Sequence, residues 1–332
     1  MVTRYIGGYI TATEQTPSTS SSTGVWQIQE ALTNTQGETW QVPLPAGRAL
    51  FGGAVPNSFK TDIDYIDINT TGNAQDFGNL TEGAYYITAV SSSTRGVWAG
   101  GYHPSRKDVI QYVTIASTGD STDFGDLSET AYLGNGFSNT TRGVMALGNT
   151  GSATNIIEYI TIASTGNSTD FGDTTEARFG MGGFSSPTRG IFSGGNSGSR
   201  VNTIDYVTIA SAGNATDFGD LLAVNSRGDG TSSSTRGLHL GGNTGSYSNV
   251  IQYVTIASTG DATDFGDLSA AKEENSATSN GIRAVNAGGE YAYTRTIDYV
   301  TIASTGNAQD FGDLTTDKSS HGACSEGHGG LG

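Results

Sequence analysis

A single phrase recurs six times along the chain, and it limits the possible folds more than any other feature of the sequence. Each copy begins at an isoleucine, and these residues are Ile63, Ile110, Ile157, Ile204, Ile251 and Ile297. The intervals 110−63, 157−110, 204−157 and 251−204 are each 47 residues, and the last, 297−251, is 46. A period of this length is typical of repeat proteins in which each copy forms one supersecondary unit.

Each repeat contains four strand-like stretches and no helical periodicity. The third stretch, residues 110–115 in the second copy, is dense in β-branched and aromatic residues, which favour strands. The second begins at an arginine and usually ends in a glycine pair, such as Gly194-Gly195. Four short antiparallel strands repeated six times predict an all-β fold, a six-bladed β-propeller with about 47 residues per blade.

Small residues indicate which strand is innermost and how the ring closes. Most of the repeated arginines have Ala or Gly six positions before them and Ser four positions before them. Such small residues suit a strand at the crowded axis of a propeller. Ala323 and Ser325 near the C-terminus fit this pattern, whereas Val42 and Leu44 before the first repeat do not. We therefore expect residues 319–325 to supply the inner strand of the first blade. The alternative is that residues 39–44 form that strand and the C-terminus is a loose tail.

The first 40 residues do not follow the period. A Ser/Thr-rich stretch over residues 11–23 has the composition of a linker, and Trp26 and Trp40 are two of only three tryptophans in the chain. We divide the chain into an N-terminal attachment segment and linker, residues 1–40, and the propeller, residues 41–332. Trp26 is the candidate attachment residue, and its alternative role is to cover one end of the propeller.

Two charged columns recur with the repeat. Strict repetition of opposite charges in every unit favours structural ion pairs, within or between blades, over an arginine ring that binds an anion at the axis. The columns are Arg48, Arg95, Arg142, Arg189, Arg236 and Arg283, and Asp76, Asp123, Asp170, Asp217, Asp264 and Asp310.

Metal binding has weak support in the sequence. A second acid follows three residues after most members of the aspartate column, as in Asp123 and Asp126, but two carboxylates per loop fall short of the six or more oxygens that Ca²⁺ takes. Turn capping is the favoured role of these acids, with calcium as the alternative. His321, Cys324 and His328 have the chemistry of zinc ligands but lack a fourth member. We expect no bound metal and no cofactor.

One face of the propeller is predicted to be specialised. In a four-stranded meander, the loops after the second and fourth strands lie on one face, and these loops differ from copy to copy. They are rich in residues that stack on sugars or bind a protein surface, and neutral drift is the alternative explanation. The candidate binding residues are Tyr102, His103, Arg106, Tyr247, Tyr291, Tyr293 and Arg295.

Composition excludes several functions. The net charge is −16, and the 16 Lys and Arg residues leave no basic stripe for a nucleic-acid backbone. A single cysteine rules out an intrachain disulfide framework, and no apolar run matches a signal peptide or a membrane span. We expect a chain that folds in a cytoplasm and that neither binds nucleic acid nor inserts in a membrane. No convincing catalytic triad or acid–base pair is present, so we expect no enzyme activity.

Two resemblances extend this interpretation. The glycine pairs followed by an aromatic strand resemble the kelch repeat over about residues 47–328, with phenylalanines such as Phe124 where kelch has a tryptophan. The start at residues 7–13, the segment 23–26 and the repeated Tyr-Val-Thr-Ile-Ala-Ser-Thr-Gly phrase resemble virion structural proteins of tailed marine bacteriophages.

The second resemblance implies a tail-fibre or spike component of the virion, assembled in the host cytoplasm. It would attach to other virion proteins through its N-terminal segment, form a homo-oligomer in the particle, and present the propeller to a host-surface glycan or protein. The alternatives are an interaction scaffold within the virion with no receptor role, and a carbohydrate-active enzyme.

Overall fold

The repeats form six four-stranded antiparallel sheets arranged as the blades of a β-propeller, as the sequence predicts. A computed structural model of the chain describes residues 47–55, 61–290 and 293–331. Within these ranges there is no α-helix, and the single helical element is a 3₁₀ turn, Gly329–Leu331. Residues 1–40, with Trp26 and Trp40, lie outside the described residues, as does the predicted boundary at residue 41.

Each blade has one strand at each of four positions from the axis outward. From blade 1 to blade 6, the inner strands are β24 (Gly322–Ser325), β4 (Thr88–Ser91), β8 (Asn135–Ser138), β12 (Gly182–Ser185), β16 (Asp229–Ser232) and β20 (Ser276–Ser279). The second strands are β1 (Arg48–Gly52), β5 (Arg95–Ala99), β9 (Arg142–Ala146), β13 (Arg189–Ser193), β17 (Arg236–Leu240) and β21 (Arg283–Ala287).

The two outer positions hold the aromatic strand and the Asp-Phe-Gly strand of each repeat. The third strands are β2 (Asp62–Asp67), β6 (Lys107–Thr114), β10 (Ile156–Thr161), β14 (Val201–Thr208), β18 (Ser248–Thr255) and β22 (Thr296–Thr301). The outermost strands are β3 (Gln75–Asn79), β7 (Thr122–Ala131), β11 (Thr169–Asp173), β15 (Thr216–Asn225), β19 (Thr263–Lys272) and β23 (Gln309–Asp313).

The C-terminus closes the ring, which confirms the prediction from the small-residue columns. Strand β24 pairs antiparallel with β1, and Phe51 lies opposite Ala323 in the register. Crowding at the axis explains the small residues, because a Cβ on Gly230 would lie 2.7 Å from the carbonyl oxygen of Gly183 in the preceding blade. The inner strands therefore tolerate only small side chains where they approach each other.

The hydrophobic core is divided among the six junctions between blades. At the junction of blades 1 and 2, Leu50 and Phe77 of blade 1 pack with Trp98 and Val113 of blade 2. At the junction that the C-terminus seals, Phe51 of blade 1 packs with Val285 and Phe311 of blade 6, among others. Because each blade buries its faces against its neighbours, no blade has a complete core of its own.

The arginine column does not form ion pairs with the aspartate column, so that prediction is wrong. Among the described residues, Asp76 and its five equivalents are exposed on the outermost strands and make no ion pair with an arginine of the column. Each arginine instead stacks on a tyrosine of its own blade and donates from Nη1 to a backbone carbonyl of the next blade. Arg142, for example, lies 4.5 Å from the centre of the Tyr159 ring and 3.0 Å from the Ile209 oxygen.

This contact is repeated at all six junctions, with Arg283 of blade 6 reaching the Ile68 oxygen of blade 1. Each tyrosine also meets a phenylalanine of the outermost strand edge to face, as Tyr159 meets Phe171 at 6.0 Å. None of the six arginines lines the axial cavities, which argues against the alternative of an axial anion site. The arginine column therefore has a structural role. Its side chains join neighbouring blades through cation–π contacts and hydrogen bonds to backbone carbonyls.

Buried ion pairs do cross the blade junctions, at a position that the sequence analysis missed. The pairs are Arg178–Asp205 at 2.8 Å, Lys272–Asp298 at 3.1 Å and Lys318–Asp64 at 3.3 Å, and every one of these six side chains is almost fully buried. In two of the other junctions the acid is replaced by glutamine, Gln111 or Gln252. In the third, Glu158 is buried and accepts hydrogen bonds from the hydroxyls of Ser128 and Ser168.

The second acid of each repeat lies where the blades lock together at their outer turns. Its backbone amide donates to an Asn or Asp side chain in the turn of the next blade, as Asp126 donates to Asn167 at 3.1 Å. The same bond recurs at every junction, and Asp313 of blade 6 donates to Asn73 of blade 1 at 3.0 Å. These bonds cap turns between blades, and they use the backbone of the second acid position.

Candidate functional site

The loops that differ between repeats lie together on one face of the propeller, as predicted from the meander. Antiparallel bridges join the loop after the fourth strand to the loop after the second strand of the following blade, for example Tyr85 with Tyr102 and Glu273 with Glu290. We call this side the varied face. The opposite side, which carries the near-identical turns after the first and third strands, is the regular face.

Six residues form a closed ring around the axis at the varied face. Each stands two residues before an inner strand, and its amide donates to the carbonyl of its equivalent in the preceding blade, over 2.7–3.1 Å. Each has a left-handed backbone, with φ between 55° and 65°. This axial ring consists of Tyr86, Leu133, Gly180, Arg227, Glu274 and Ser320.

The axial ring combines an identical backbone with six different side chains. A left-handed backbone suits glycine and costs other residues about 1–2 kcal/mol each, yet only Gly180 meets that preference. Five copies therefore place a strained residue at the axis. Strain of this kind clusters at functional sites, so the axial ring is a candidate recognition element.

Glu274 connects one side of the axial ring. Its carboxylate accepts hydrogen bonds from the Tyr86 hydroxyl at 2.8 Å, from Arg227 Nη1 at 2.9 Å and from the Ser320 hydroxyl at 2.5 Å. The guanidinium of Arg227 also lies 6.0 Å from the centre of the Tyr86 ring. Four of the six ring members are thus held together by one buried carboxylate.

Four tyrosines form a continuous patch beside the axial ring. The centroid distances are 4.9 Å for Tyr85 and Tyr86, 5.7 Å for Tyr85 and Tyr102, 5.3 Å for Tyr102 and Tyr132, and 6.1 Å for Tyr86 and Tyr132. All four side chains are half-buried. Burial and the neighbouring Tyr102 and Tyr132 raise the pKa of Tyr85, so the Tyr85 hydroxyl is neutral at ordinary pH. We call these residues the tyrosine patch.

Three glutamates lie on the other side of Tyr86. Carboxylate oxygens of Glu273, Glu274 and Glu290 all lie within 4.8 Å of one another, and we call this group the acidic cluster. Burial and the negative charge of the neighbouring glutamates raise the pKa of Glu290, and burial raises the pKa of Glu273. Arg227 pairs with two of the three glutamates, at 2.9 Å and 3.6 Å, and leaves the cluster with excess negative charge.

A cavity opens along the axis inside the axial ring. Its volume is about 90 Å³, well below the roughly 300–1,000 Å³ of pockets that enclose small molecules. Asp229 lies on its wall and accepts hydrogen bonds from Asn135 Nδ2 and the Ala277 amide, each at 2.8 Å. Burial raises the pKa of Asp229 to about 6. The cavity has room for waters, so a larger ligand would contact the mouth and the face around it.

The other end of the inner strands carries a second ring, made of identical side chains. In five of its six members the hydroxyl donates to the carbonyl oxygen of the equivalent serine in the preceding blade, over 2.6–2.8 Å. The members of this serine ring are Ser91, Ser138, Ser185, Ser232, Ser279 and Ser325.

The C-terminal residues interrupt the serine ring and enter the axis from the regular face. His328 Nε2 lies 3.1 Å from the Ser138 hydroxyl and 3.3 Å from the Ser91 oxygen, between the two serines that would otherwise bond. Gly330 follows, where a Cβ would meet the Ser138 oxygen at 1.8 Å. Burial lowers the pKa of His328 to about 4, so the imidazole is neutral at ordinary pH.

The predicted binding residues are only partly brought together. Tyr102 lies in the tyrosine patch, and Tyr247 is close enough to Glu290 for that carboxylate to raise its pKa. Arg106 and His103 are half-buried in the loop of blade 2, whose bond His103–Pro104 is cis. Arg295 lies 3.8 Å from the Asp313 carboxylate, while Tyr293 is exposed. Tyr291 is outside the described residues.

The structure does not gather the three candidate zinc ligands. Cys324 is buried in the core between blades 1 and 2, where burial raises its pKa. His321 packs edge to face on Phe51, and burial lowers its pKa to about 3. Among the described residues, the acidic cluster is the group of three or more His, Cys, Asp or Glu side chains close enough to share an ion, and it includes neither aspartate column.

The most informative site residues were missed in the sequence. Arg227, Glu274 and Ser320 lie nine positions before an arginine of the column or its equivalent, where the six copies differ completely. The repeat alignment contains this signal, because a position that varies inside an otherwise constant repeat marks where the copies have diverged.

Comparisons with known proteins do not assign the chain to a family. No family model and no curated protein sequence matches it. In the ranges that the structure describes, no helix has the length and apolar character needed to cross a membrane.

Proposed function

We propose that the protein is a structural component of a bacteriophage virion that presents the varied face of its propeller to the host surface. The observation that carries this proposal is the contrast at the axial ring, where six superimposable backbone positions hold six different side chains. Constant positions elsewhere in the repeat maintain the blades, so divergence at one face is best explained by recognition of something outside the chain.

The virion location rests on the resemblance of the repeated phrase and the N-terminal segment to virion proteins of tailed phages. In this proposal residues 1–40 attach the protein to other virion proteins, Trp26 is a contact of that attachment, and several copies assemble in the particle. The role is binding without catalysis. The proposal places no calcium ion at the acidic cluster, because Arg227 already pairs with two of its three glutamates.

The test uses the full chain and the phage that encodes it. Antibodies against the propeller should label purified particles and block their adsorption, and the fluorescently labelled protein should bind host cells and compete with infection. Labelling of particles without any effect on adsorption would support an interaction scaffold with no receptor role. Absence of the protein from purified particles would reject the virion proposal.

A chain that lacks residues 1–36 separates the two parts of the proposal. We expect it to remain a soluble propeller that still binds host cells but no longer enters particles. Normal incorporation of this truncated chain would reject the attachment role of the N-terminal segment.

A second candidate, glycan hydrolysis, is favoured by one observation. Oxygens of Glu274 and Glu290 lie within 4.8 Å, and carboxylate pairs also perform glycoside hydrolysis. Against it, Glu274 is already engaged by three donors on its own chain. Incubation of the full chain with host surface polysaccharide should release no new reducing ends. Release that stops in Glu290→Gln would favour the enzyme.

A further inference from the structure

The tyrosine patch and the acidic cluster form one surface, because Tyr86 belongs to the first and contacts the second. The Tyr86 ring lies 4.9 Å from that of Tyr85, and its hydroxyl donates to Glu274 at 2.8 Å. Glu274 in turn lies within 4.8 Å of Glu290 at the rim. A ligand that covers the tyrosines therefore meets carboxylates at one edge of its contact area.

The tyrosine patch offers an apolar surface edged by hydroxyl groups. Each ring is large, rigid and amphipathic, so it gives contact area with little loss of conformational freedom. Saccharides have the matching chemistry, since the C–H face of a pyranose ring stacks on an aromatic ring while its hydroxyls form hydrogen bonds with polar groups at the edges.

The rest of the varied face does not favour a protein partner. A protein interface is usually centred on buried apolar or aromatic anchors over about 800 Å² per partner. Among the described residues, the exposed large aliphatic side chains are Leu222 and Val224 on an outermost strand and Ile282 in a turn of the regular face. None of these three described residues belongs to the axial ring, the tyrosine patch or the acidic cluster.

The acidic cluster determines which saccharides can bind. Arg227 forms ion pairs with Glu273 and Glu274, and Arg200 also acts on Glu273, so three carboxylates face two cations. Partial burial and the charges of the neighbouring glutamates raise the pKa of Glu290. A carboxylate, sulfate or phosphate on the ligand would meet this excess negative charge and be repelled, whereas a hydroxyl or ammonium group could donate to it.

We infer that the tyrosine patch and the acidic cluster bind a saccharide that has no acidic group, either neutral or amine-bearing. This inference rests on the proposed function and specifies the chemistry of the receptor. The ligand lies across the tyrosine patch, with its hydroxyl or amino groups directed to the rim at Glu290. The axial cavity beneath remains too small to enclose a sugar unit.

The test measures binding of the full-length chain to three sets of oligosaccharides on an array, followed by titration of those that bind. The sets are neutral hexose oligomers, glucosamine oligomers with free amino groups, and uronic-acid or sialylated oligomers. We expect binding in the first or second set, or in both, and at least about tenfold weaker binding in the third. Binding to none of the sets, or equal binding of acidic oligomers, would overturn the inference.

Substitutions locate the site. Tyr132→Ala should weaken binding about tenfold, while Tyr132→Phe, which keeps the stacking ring, should stay within about threefold of the parent. Leu222→Ala, an exposed aliphatic residue on an outermost strand, is the control and should bind like the parent. Thermal melts show whether each variant is folded, and Tyr102→Ala replaces Tyr132→Ala if the latter does not fold. Unchanged binding in a folded tyrosine-to-alanine variant would contradict the inference.

Glu290→Gln tests whether the negative charge of the acidic cluster excludes acidic saccharides, because it removes one charge and keeps the shape of the side chain. In this variant the preference for neutral over acidic oligomers, expressed as the ratio of their dissociation constants, should shrink by about fivefold or more relative to the parent. A variant that still rejects acidic oligomers as strongly as the parent contradicts the assigned role of the acidic cluster.

The proposed function and this inference can fail independently. If the labelled chain binds host cells but periodate oxidation of the cell surface leaves that binding intact, the saccharide inference is wrong and the attachment role stands. If the chain binds no host cells at all, the attachment role is wrong as well.

Discussion

The two ends of the inner strands are joined from blade to blade in different ways, one through identical side chains and the other through the backbone. At the regular face, the serine ring repeats one side chain six times and uses five of the six hydroxyls to bond one blade to the next. At the varied face, the axial ring makes the same kind of closed circle from backbone groups alone. Because its hydrogen bonds do not involve side chains, the axial ring leaves all six side chains available to differ.

This contrast shows how a repeat protein can separate stability from recognition. A side-chain ring must be conserved between copies to persist, whereas a backbone ring places no such demand on its members. The axial ring accordingly contains an aromatic, an aliphatic, a basic, an acidic and a hydroxyl side chain in addition to Gly180. Substitutions at the two ends should therefore have different consequences.

The largest expected effect comes from opening both rings at once. A chain that ends at Asp317 loses β24, Ser320 of the axial ring and Ser325 of the serine ring. We expect the free energy of unfolding to fall by more than about 5 kcal/mol and the exposed edge of blade 1 to promote aggregation. Chemical denaturation and light scattering measure both.

A chain that ends at Glu326 is the control for this truncation. It keeps β24 and removes only His328 and the 3₁₀ turn, so the loss should not exceed about 2 kcal/mol. Equal stability of the full chain and the chain ending at Asp317 would mean that the C-terminus does not seal the ring.

The second prediction compares an arginine of the repeated column with an arginine in a loop of the varied face. Arg142→Ala removes a cation–π contact with Tyr159 and a hydrogen bond to the Ile209 carbonyl, and it should lower the free energy of unfolding by about 2–3 kcal/mol. Arg106→Ala, in a variable loop of the varied face, should change it by less than about 0.5 kcal/mol. Equal melting temperatures of the two variants would remove the distinction between the constant and variable arginines.

The third prediction uses pH, to which the two ends should respond in opposite directions. His328 has a folded pKa of about 4, below its unfolded value, so its contribution to stability is present at neutral pH and lost as pH falls from about 6.5 toward 4. Asp229 has a folded pKa of about 6, above its unfolded value, so the penalty for its ionisation disappears as pH falls through 6.

Hydrogen exchange at pH 7 and pH 5, corrected for intrinsic rates, tests this contrast. Amides near His328 should lose protection at pH 5, by about 2 kcal/mol at most, while amides beside Asp229 should gain it. His328→Gln should abolish the loss at the regular face and leave the gain at the varied face. A uniform change at both ends would contradict the assignment.

The smallest expected effects are those of substituting two serines near the C-terminus, one in each ring. Ser325→Ala removes a buried hydrogen bond to Ser279 and should destabilise the fold by about 1–2 kcal/mol. Ser320→Gly loses the hydrogen bond to Glu274 but removes the strain of a left-handed backbone at a non-glycine residue. The two effects should offset each other, so the free energy of unfolding should change by no more than about 1 kcal/mol. A larger loss from Ser320→Gly than from Ser325→Ala would reverse the contrast between the rings.

Most of the fold could be predicted from the sequence because it depends on repetition. The period determines the number of blades, and the small residues that precede each arginine distinguish the inner strand, so Ala323 and Ser325 reveal the closure. Contacts with backbone groups could not be predicted in the same way. The partner of Arg142 is a carbonyl of the next blade, which every residue possesses, so the sequence suggested the repeated aspartates instead.

The buried ion pairs and the axial ring illustrate two further limits. The position after each repeat isoleucine is Asp64, Gln111, Glu158, Asp205, Gln252 or Asp298. In three junctions this residue is an aspartate, and a second repeat position then holds the buried arginine or lysine that pairs with it. Comparison of these two columns would have revealed those pairs. The axial ring has no residue signature, because its requirement is a positive φ and only Gly180 has the residue type that such a backbone favours.

The joint at blade 1 has a mechanical consequence. Two backbone amides at the point where the chain enters the propeller, those of Gly47 and Arg48, donate to Glu326 Oε1 at 2.9 Å each, and β1 is paired on both sides by β2 and β24. If the N-terminal segment anchors the protein, tension reaches the propeller through a strand with neighbours on both edges, so several hydrogen bonds must break together before the blade yields. The strand added last in the chain would then reinforce the place where the load enters.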